Sequence, residues 1–193
     1  MNAVFRSALL ATIAVPMASW GAGGTVAGKV ESTPAKYLEE TVVFIKDAKG
    51  PAAPKTESMD QKGMKFLPHV IAITEGDTVE FLNHDGVDHN VFSPDGETYN
   101  LGMIKNGAKG NFTFKKAGAY SQLCSVHPEM LGYIYVSPSP FHASVDAKGN
   151  FKIEHVPAGT YTLSVWNSHL KGADQSITVT DGKSTDVTLA VKR

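Results

Sequence analysis

Apolar and polar residues alternate along most of the chain in short runs separated by turns. Clear examples are residues 78–81, 111–114 and 133–136, in which β-branched or aromatic side chains recur at every second position. A period of two is the pattern of a strand with one buried face, and short strands with frequent turns are typical of β-sandwiches. We therefore predict an all-β chain with few helices.

The first 22 residues follow a different pattern. A short segment with a single charge, Arg6, precedes an apolar run over residues 8–17, and small residues follow it. A membrane-spanning helix needs about 20 apolar residues, so the run is too short for a retained anchor. We interpret residues 1–22 as an export signal with cleavage near Gly21 or Ala22. The mature chain is then expected to be soluble and periplasmic or secreted.

Charge and cysteine usage narrow the possible functions. The 193 residues include 18 Lys and Arg against 19 Asp and Glu, for a formal charge of −1, and these charges are interspersed. Without a basic stripe, nucleic acid is not indicated as a partner. Cys124 is the only cysteine, so no internal disulfide can form in an oxidising compartment. An unpaired exported cysteine is an intermolecular partner, a reactive thiol or a metal ligand.

Potential metal ligands lie close to Cys124 in the sequence. His127 and Met130 follow it at spacings of three and six residues, and His89 lies upstream. A thiolate, two imidazoles and a weak thioether are the donors of a mononuclear blue-copper site, and soft sulfur ligands select copper. We therefore predict one Cu(I)/Cu(II) ion bound by His89, Cys124, His127 and Met130.

Three segments together resemble the cupredoxins, especially plastocyanin- and amicyanin-like blue-copper proteins. They are residues 76–83, 89–91 and 118–134, and the Cys-x-x-His-x-x-Met spacing is similar to the short amicyanin ligand loop. The resemblance implies a Greek-key β-sandwich that carries single electrons and is not an enzyme. It implies periplasmic redox partners, such as a cytochrome c or a dehydrogenase. It also implies that Asn90 hydrogen-bonds the cysteine loop, with Ser125 as its partner.

Two of the proposed ligands have competitors. His84 lies in a loop-like stretch upstream of His89, but the family pattern places the ligand directly before an Asn-Val pair, which favours His89. Met130 would be an ordinary core residue if the axial ligand lay elsewhere. Met103 or a backbone carbonyl near Asp88 would then be the next candidates.

The C-terminal residues 140–193 form a second all-β unit. They resemble the transthyretin-like or carboxypeptidase-regulatory-like β-sandwich, whose members begin with strands similar to those in residues 24–53. We therefore predict that both segments form one sandwich and that the copper domain, residues 54–139, is inserted into it. This joint arrangement is similar to that of methylamine-utilisation-like proteins. The alternative assigns residues 24–53 to the copper domain.

Other functions with the same ligands stay open at this point. The chain could store or deliver copper, or it could be a partner-binding module with a structural copper site. A copper enzyme is disfavoured because the sequence has no His-x-His pair and no second cysteine.

Two side chains pose specific structural questions. Gln122 shares a predicted strand face with Tyr120 and Cys124, where relatives have an apolar residue. A buried glutamine needs hydrogen-bond partners, so it either finds them or lies at a bulge. Trp166 is expected to pack within the second sandwich.

Overall fold

The computed structural model describes residues 22–193, so the predicted export signal lies outside the described residues except for Ala22. Strands and turns dominate, with one short 3-10 helix at Ala35–Glu40, and the all-β prediction is confirmed. No helix within residues 22–193 is long and apolar enough to cross a membrane. The strands are β1 Gly24–Thr33, β2 Thr41–Ile45, β3 Thr56–Gln61, β4 Phe66–Leu67, β5 Val70–Thr74, β6 Thr78–Asn83, β7 His89–Ser93, β8 Tyr99–Ile104, β9 Lys109–Thr113, β10 Gly118–Leu123, β11 Leu131–Ser137, β12 His142–Ser144, β13 Asn150–Val156, β14 Gly159–Asn167, β15 Lys171–Gly172, β16 Gln175–Val179 and β17 Ser184–Lys192.

Strands from both ends of the described chain build one pair of sheets. The strand orders are β13-β1-β17-β15 and β12-β2-β14-β16. β1 runs parallel to β17 and antiparallel to β13, while β2 is antiparallel to both β12 and β14. In β17, Val187, Leu189 and Val191 are buried and the residues between them are exposed, as expected for a strand with one face in the core.

The middle of the chain builds a second pair of sheets. Their strand orders are β5-β11-β10-β7-β8 and β4-β3-β6-β9. Alternate residues of β6, namely Val79, Phe81 and Asn83, are buried between the sheets. β7 and β10 are antiparallel neighbours in the five-stranded sheet and pair at Phe92 and Leu123, so the segment after β10 runs beside the start of β7. The division of the chain into an inserted copper domain, residues 54–139, and one sandwich from residues 24–53 and 140–193 stays a prediction.

Gln122 is fully buried and has hydrogen-bond partners. The Tyr99 hydroxyl donates to its Oε1, and its Nε2 donates to the backbone carbonyl of Tyr120 at 3.2 Å. The register of β10 with β11 is continuous across this position, with Gln122 opposite Gly132. Of the two possibilities, the glutamine therefore finds partners and needs no bulge there.

An apolar cluster joins the two sandwiches. Val42 and Phe44 of β2 are buried against Val70 of β5 and Tyr135 of β11. The Trp166 ring stacks on Tyr135 with ring centroids 5.3 Å apart. The expectation that Trp166 packs inside its own sandwich was therefore wrong. Alternation places it on the outer face of β14, and the other sandwich covers that face.

Candidate metal centre

Two neighbouring strands position the predicted ligands. His89 is the first residue of β7, and Cys124 directly follows β10. Leu123 at the end of β10 pairs antiparallel with Phe92 of β7, so the residues that follow Leu123 run alongside the start of β7, and the Asn90 amide reaches Sγ of Cys124. His127 lies in the loop between β10 and β11, so this loop can fold back over His89.

Three of the predicted ligands meet at one point. Nδ1 of His89 lies 2.9 Å from Nδ1 of His127, and Sγ of Cys124 lies 3.8 Å from the latter atom. All three ligand atoms lie within 4.8 Å of one another. His89 is fully buried, Cys124 is 3% exposed and His127 is partly exposed. The arrangement is a largely buried cluster of three donor atoms that could hold one metal ion, and His127 is its partly exposed member.

Asn90 connects the cysteine loop to β7. Its backbone N–H donates to Sγ of Cys124 at 3.3 Å, and its Oδ1 accepts a hydrogen bond from the Ser125 amide at 3.3 Å. Its Nδ2 donates to Oδ1 of Asn100 at 2.9 Å and to the backbone carbonyl of Gly102 at 3.0 Å. The side chain is nearly buried, and it therefore ties three segments of the domain together around the sulfur.

Met130 ends the ligand loop. Its amide donates to the backbone carbonyl of His127 at 2.9 Å, and its side chain is 1% exposed in the same core cluster as Cys124. Its role as the axial ligand stays a prediction. The competing Met103 is 50% exposed on β8.

The structure brings His89, and not His84, to the cluster. The His84 side chain is 59% exposed, and its Nδ1 lies 3.0 Å from Oδ2 of Asp60. His84 is therefore held at the surface by a carboxylate, as expected for a loop residue.

A further residue at the centre, Asp85, was not predicted. Its Oδ2 lies 3.0 Å from Nε2 of His89, and the same oxygen accepts a hydrogen bond from the Met64 amide at 2.7 Å. These two donors, the Met64 amide first, lower the pKa of Asp85 to about 2. The only sequence signal is an aspartate four residues before the ligand histidine. In a loop that spacing has no fixed geometry, so the contact becomes evident only once the loop is folded.

The chemistry of these groups fits a soft metal ion. A carboxylate can only accept, so Nε2 of His89 donates to Asp85 and Nδ1 keeps a free lone pair. That lone pair, a nitrogen of the His127 ring and the sulfur of Cys124 lie within 4.8 Å of one another. One thiolate with two imidazoles is the equatorial donor set of a type 1 copper site. The residues present therefore fit copper.

Comparison with known families supports this assignment. Residues 52–137 match the family of copper binding proteins described as plastocyanin/azurin. Residues 116–187 match domain II of polysaccharide lyase family 4, which is compatible with a second β-sandwich.

Individual relatives include copper proteins. The chain is 31% identical over 77 residues to amicyanin from Paracoccus versutus; this covers 38% of the chain and spans 58% of the relative's length. The structure of a reduced amicyanin mutant is 26% identical, with a TM-score of 0.41, over 49% of this chain and 98% of that one. A purple cupredoxin from Nitrosopumilus maritimus is 26% identical, with a TM-score of 0.39, over 42% and 98%.

A copper-containing nitrite reductase from Thermus scotoductus SA-01 is 32% identical, with a TM-score of 0.40, over 45% of this chain and 23% of that one. The family match covers the segment that carries the clustered His89, Cys124 and His127. The predicted resemblance to the cupredoxins is thereby confirmed: residues 52–137 are similar to the copper-binding plastocyanin/azurin family, and the chain spans less than two thirds of the amicyanin relative.

Proposed function

We propose that this chain is an exported type 1 copper protein that carries single electrons between periplasmic redox partners. The observation that carries the proposal is the convergence of one buried thiol and two imidazole nitrogens within 4.8 Å. His89, Cys124 and His127 would hold the ion, with Met130 as a weak axial ligand. Bound copper would supply a one-electron change between Cu(I) and Cu(II).

The protein's own groups support transfer of electrons over exchange of metal. Cys124 and His89 are buried, and the hydrogen bonds of Asn90 hold the cysteine loop against β7. Such an anchored pocket keeps the ligands in place when the charge of the ion changes. Burial of the two ligands also slows access by a competing chelator, which disfavours a role in copper delivery.

The surface around His127 supports docking of a partner protein. His127 is the partly exposed ligand, and the neighbouring Val126 and Leu131 are 48% and 37% exposed. Apolar side chains around an exposed ligand edge favour close approach of another redox centre. We propose a cytochrome c or a dehydrogenase of the periplasm as the partner. The N-terminal pattern of residues 1–22 supports export.

Absorption spectroscopy of the copper-loaded protein tests the proposed centre. Cu(II) should give an intense visible band from thiolate-to-copper charge transfer, and Cys124→Ser should abolish it. Met103→Leu is the matched control, because it changes an exposed sulfur side chain of the same domain. A wild-type spectrum with only weak bands would contradict the type 1 assignment.

Electron transfer is tested separately from copper binding. Voltammetry should show a reversible one-electron wave, and a reduced sample should pass its electron to oxidised cytochrome c without losing copper. Rapid removal of the metal by a Cu(I) chelator, with no reversible wave, would instead indicate storage or delivery.

A further inference from the structure

Asp85 is a charged group that touches the candidate metal centre and has no part in the proposed function so far. Its Oδ2 contacts Nε2 of His89 at 3.0 Å, while Nδ1 of the same ring faces His127 at 2.9 Å. The two nitrogens of one imidazole therefore have different tasks. Nε2 contacts a carboxylate, and Nδ1 faces the other residues proposed to hold the metal.

The Asp85 carboxylate is itself fixed by its surroundings. Oδ2 also accepts from the Met64 amide at 2.7 Å, and Oδ1 accepts from the Gly86 amide at 3.1 Å. Its backbone N–H donates to Oδ1 of Asn83 at 2.9 Å, and its backbone carbonyl accepts from Nδ2 of Asn106 at 2.6 Å. The side chain is 18% exposed. These contacts within the protein hold the carboxylate in place.

We propose that Asp85 is a positioning residue that fixes the orientation and tautomer of His89 and favours Cu(II) over Cu(I). This inference rests on the proposed function. A carboxylate that accepts from the second nitrogen of a ligand imidazole fixes the ring and makes it a stronger donor. A stronger donor and a nearby negative charge both stabilise the more highly charged ion. Asp85 therefore lowers the reduction potential of the centre.

The chain contains a matched control for this contact. Oδ2 of Asp60 lies 3.0 Å from Nδ1 of His84, which is the same type of contact at the same distance. That pair lies outside the cluster of His89, Cys124 and His127. Asp60→Asn therefore removes a comparable charge without touching a proposed ligand.

The test uses the full copper-loaded chain with three variants at position 85. Asp85→Asn keeps an acceptor oxygen and removes the charge, Asp85→Ala removes both, and Asp85→Glu restores the charge. Removal of such a partner typically weakens metal binding by about 10- to 100-fold. If Asp85→Asn weakens Cu(II) binding about tenfold with Cu(I) binding unchanged, the potential rises by ~59 mV. Asp60→Asn should leave it unchanged.

A second measurement follows the tautomer without copper redox chemistry. In ¹⁵N-labelled protein loaded with Zn(II), the His89 ring should show a protonated Nε2 that exchanges slowly with water. Asp85→Ala should speed this exchange, whereas Asp60→Asn should not.

The outcomes separate the inference from the function on which it rests. An unchanged potential in an Asp85→Asn variant that keeps its intense visible band would overturn the role of Asp85 and leave the electron carrier intact. The role of Asp85 would also be overturned if the reduction potential of Asp85→Glu were no lower than that of Asp85→Asn. A wild-type protein without the intense band would remove the proposed function itself.

Discussion

Removal of the Asn90 side chain should destabilise the copper domain even without metal. Asn90→Ala removes the hydrogen bonds to the Ser125 amide, to Oδ1 of Asn100 and to the carbonyl of Gly102. It keeps the backbone N–H that donates to Sγ of Cys124. The substitution therefore loosens the loop around the sulfur without removing a proposed ligand or the hydrogen bond to Sγ of Cys124.

The expected magnitude follows from the three lost contacts. Each of the three hydrogen bonds contributes about 0.5 to 1.5 kcal/mol net, so Asn90→Ala should lower the free energy of unfolding by about 1.5 to 4.5 kcal/mol. Oδ1 of Asn100 keeps the Gly102 amide as a donor, which favours the lower half of that range. With a urea m-value of about 2 kcal/mol/M, the unfolding midpoint falls by about 1 M or more.

Urea unfolding of the metal-free full chain measures this change. Asn111→Ala is the matched control, because Asn111 is exposed on β9 of the same sandwich. In the copper-loaded variant the thiolate band should persist while copper loss to a chelator accelerates. A free-energy change no larger than that of the control would refute the argument that Asn90 connects the three segments.

Further predictions concern the ligands, the pH dependence and the domain map. His89→Ala should convert the centre to a paler, water-ligated form in visible spectra, whereas His84→Ala should leave the spectrum intact. Met130→Leu should raise the reduction potential and Met130→Gln should lower it, each by ~100 mV, which is roughly fiftyfold in the ratio of Cu(I) to Cu(II) affinity at ~59 mV per tenfold. Unchanged potentials in both variants would place the axial ligand elsewhere. Burial lowers the pKa of His142 below the ordinary 6.5, so the unfolded chain binds its proton more readily and stability is lost as the pH falls below that value. His142→Gln should reduce this acid-side loss in urea midpoints. A fragment of residues 140–193 should show no cooperative unfolding, because it lacks β1, an interior strand of one sheet, and β2, an interior strand of the other.

Local spacing explains why Cys124, His127 and Met130 could be proposed together as ligands from the sequence. Cys124, His127 and Met130 lie on one short loop, so their proximity follows from chain length alone. His89 required a resemblance to a known family, because its contact with Cys124 depends on the pairing of β7 with β10. The alternation of β6 likewise predicted a strand there without information about its neighbours.

The residues that the sequence did not reveal depend on how loops and faces meet. Asp85 reaches His89 through the folded path of a loop that has no repeating geometry. Trp166 lies on a strand face that alternation identifies, but alternation says nothing about what covers that face. In the structure Tyr135 of the other sandwich covers it. Strand period determines which side a residue takes, and only the tertiary arrangement determines its partner.

The contact between the two sandwiches brings the one built from the two ends of the described chain close to the loop that carries Cys124, His127 and Met130. The chain leaves the sandwich that its two ends build after β2 and returns to it in β12. These two strands are neighbours and pair at Phe44 and His142. Residues 46–141 thus connect two strands that pair with each other. Contact continues along β11, where Trp166 lies 5.7 Å from Tyr133 in ring-centroid distance. β11 begins at Leu131, directly after the loop that carries Cys124, His127 and Met130. Because Trp166 of the other sandwich packs on Tyr133 and Tyr135 of β11, this contact helps to hold the strand that anchors one end of the loop.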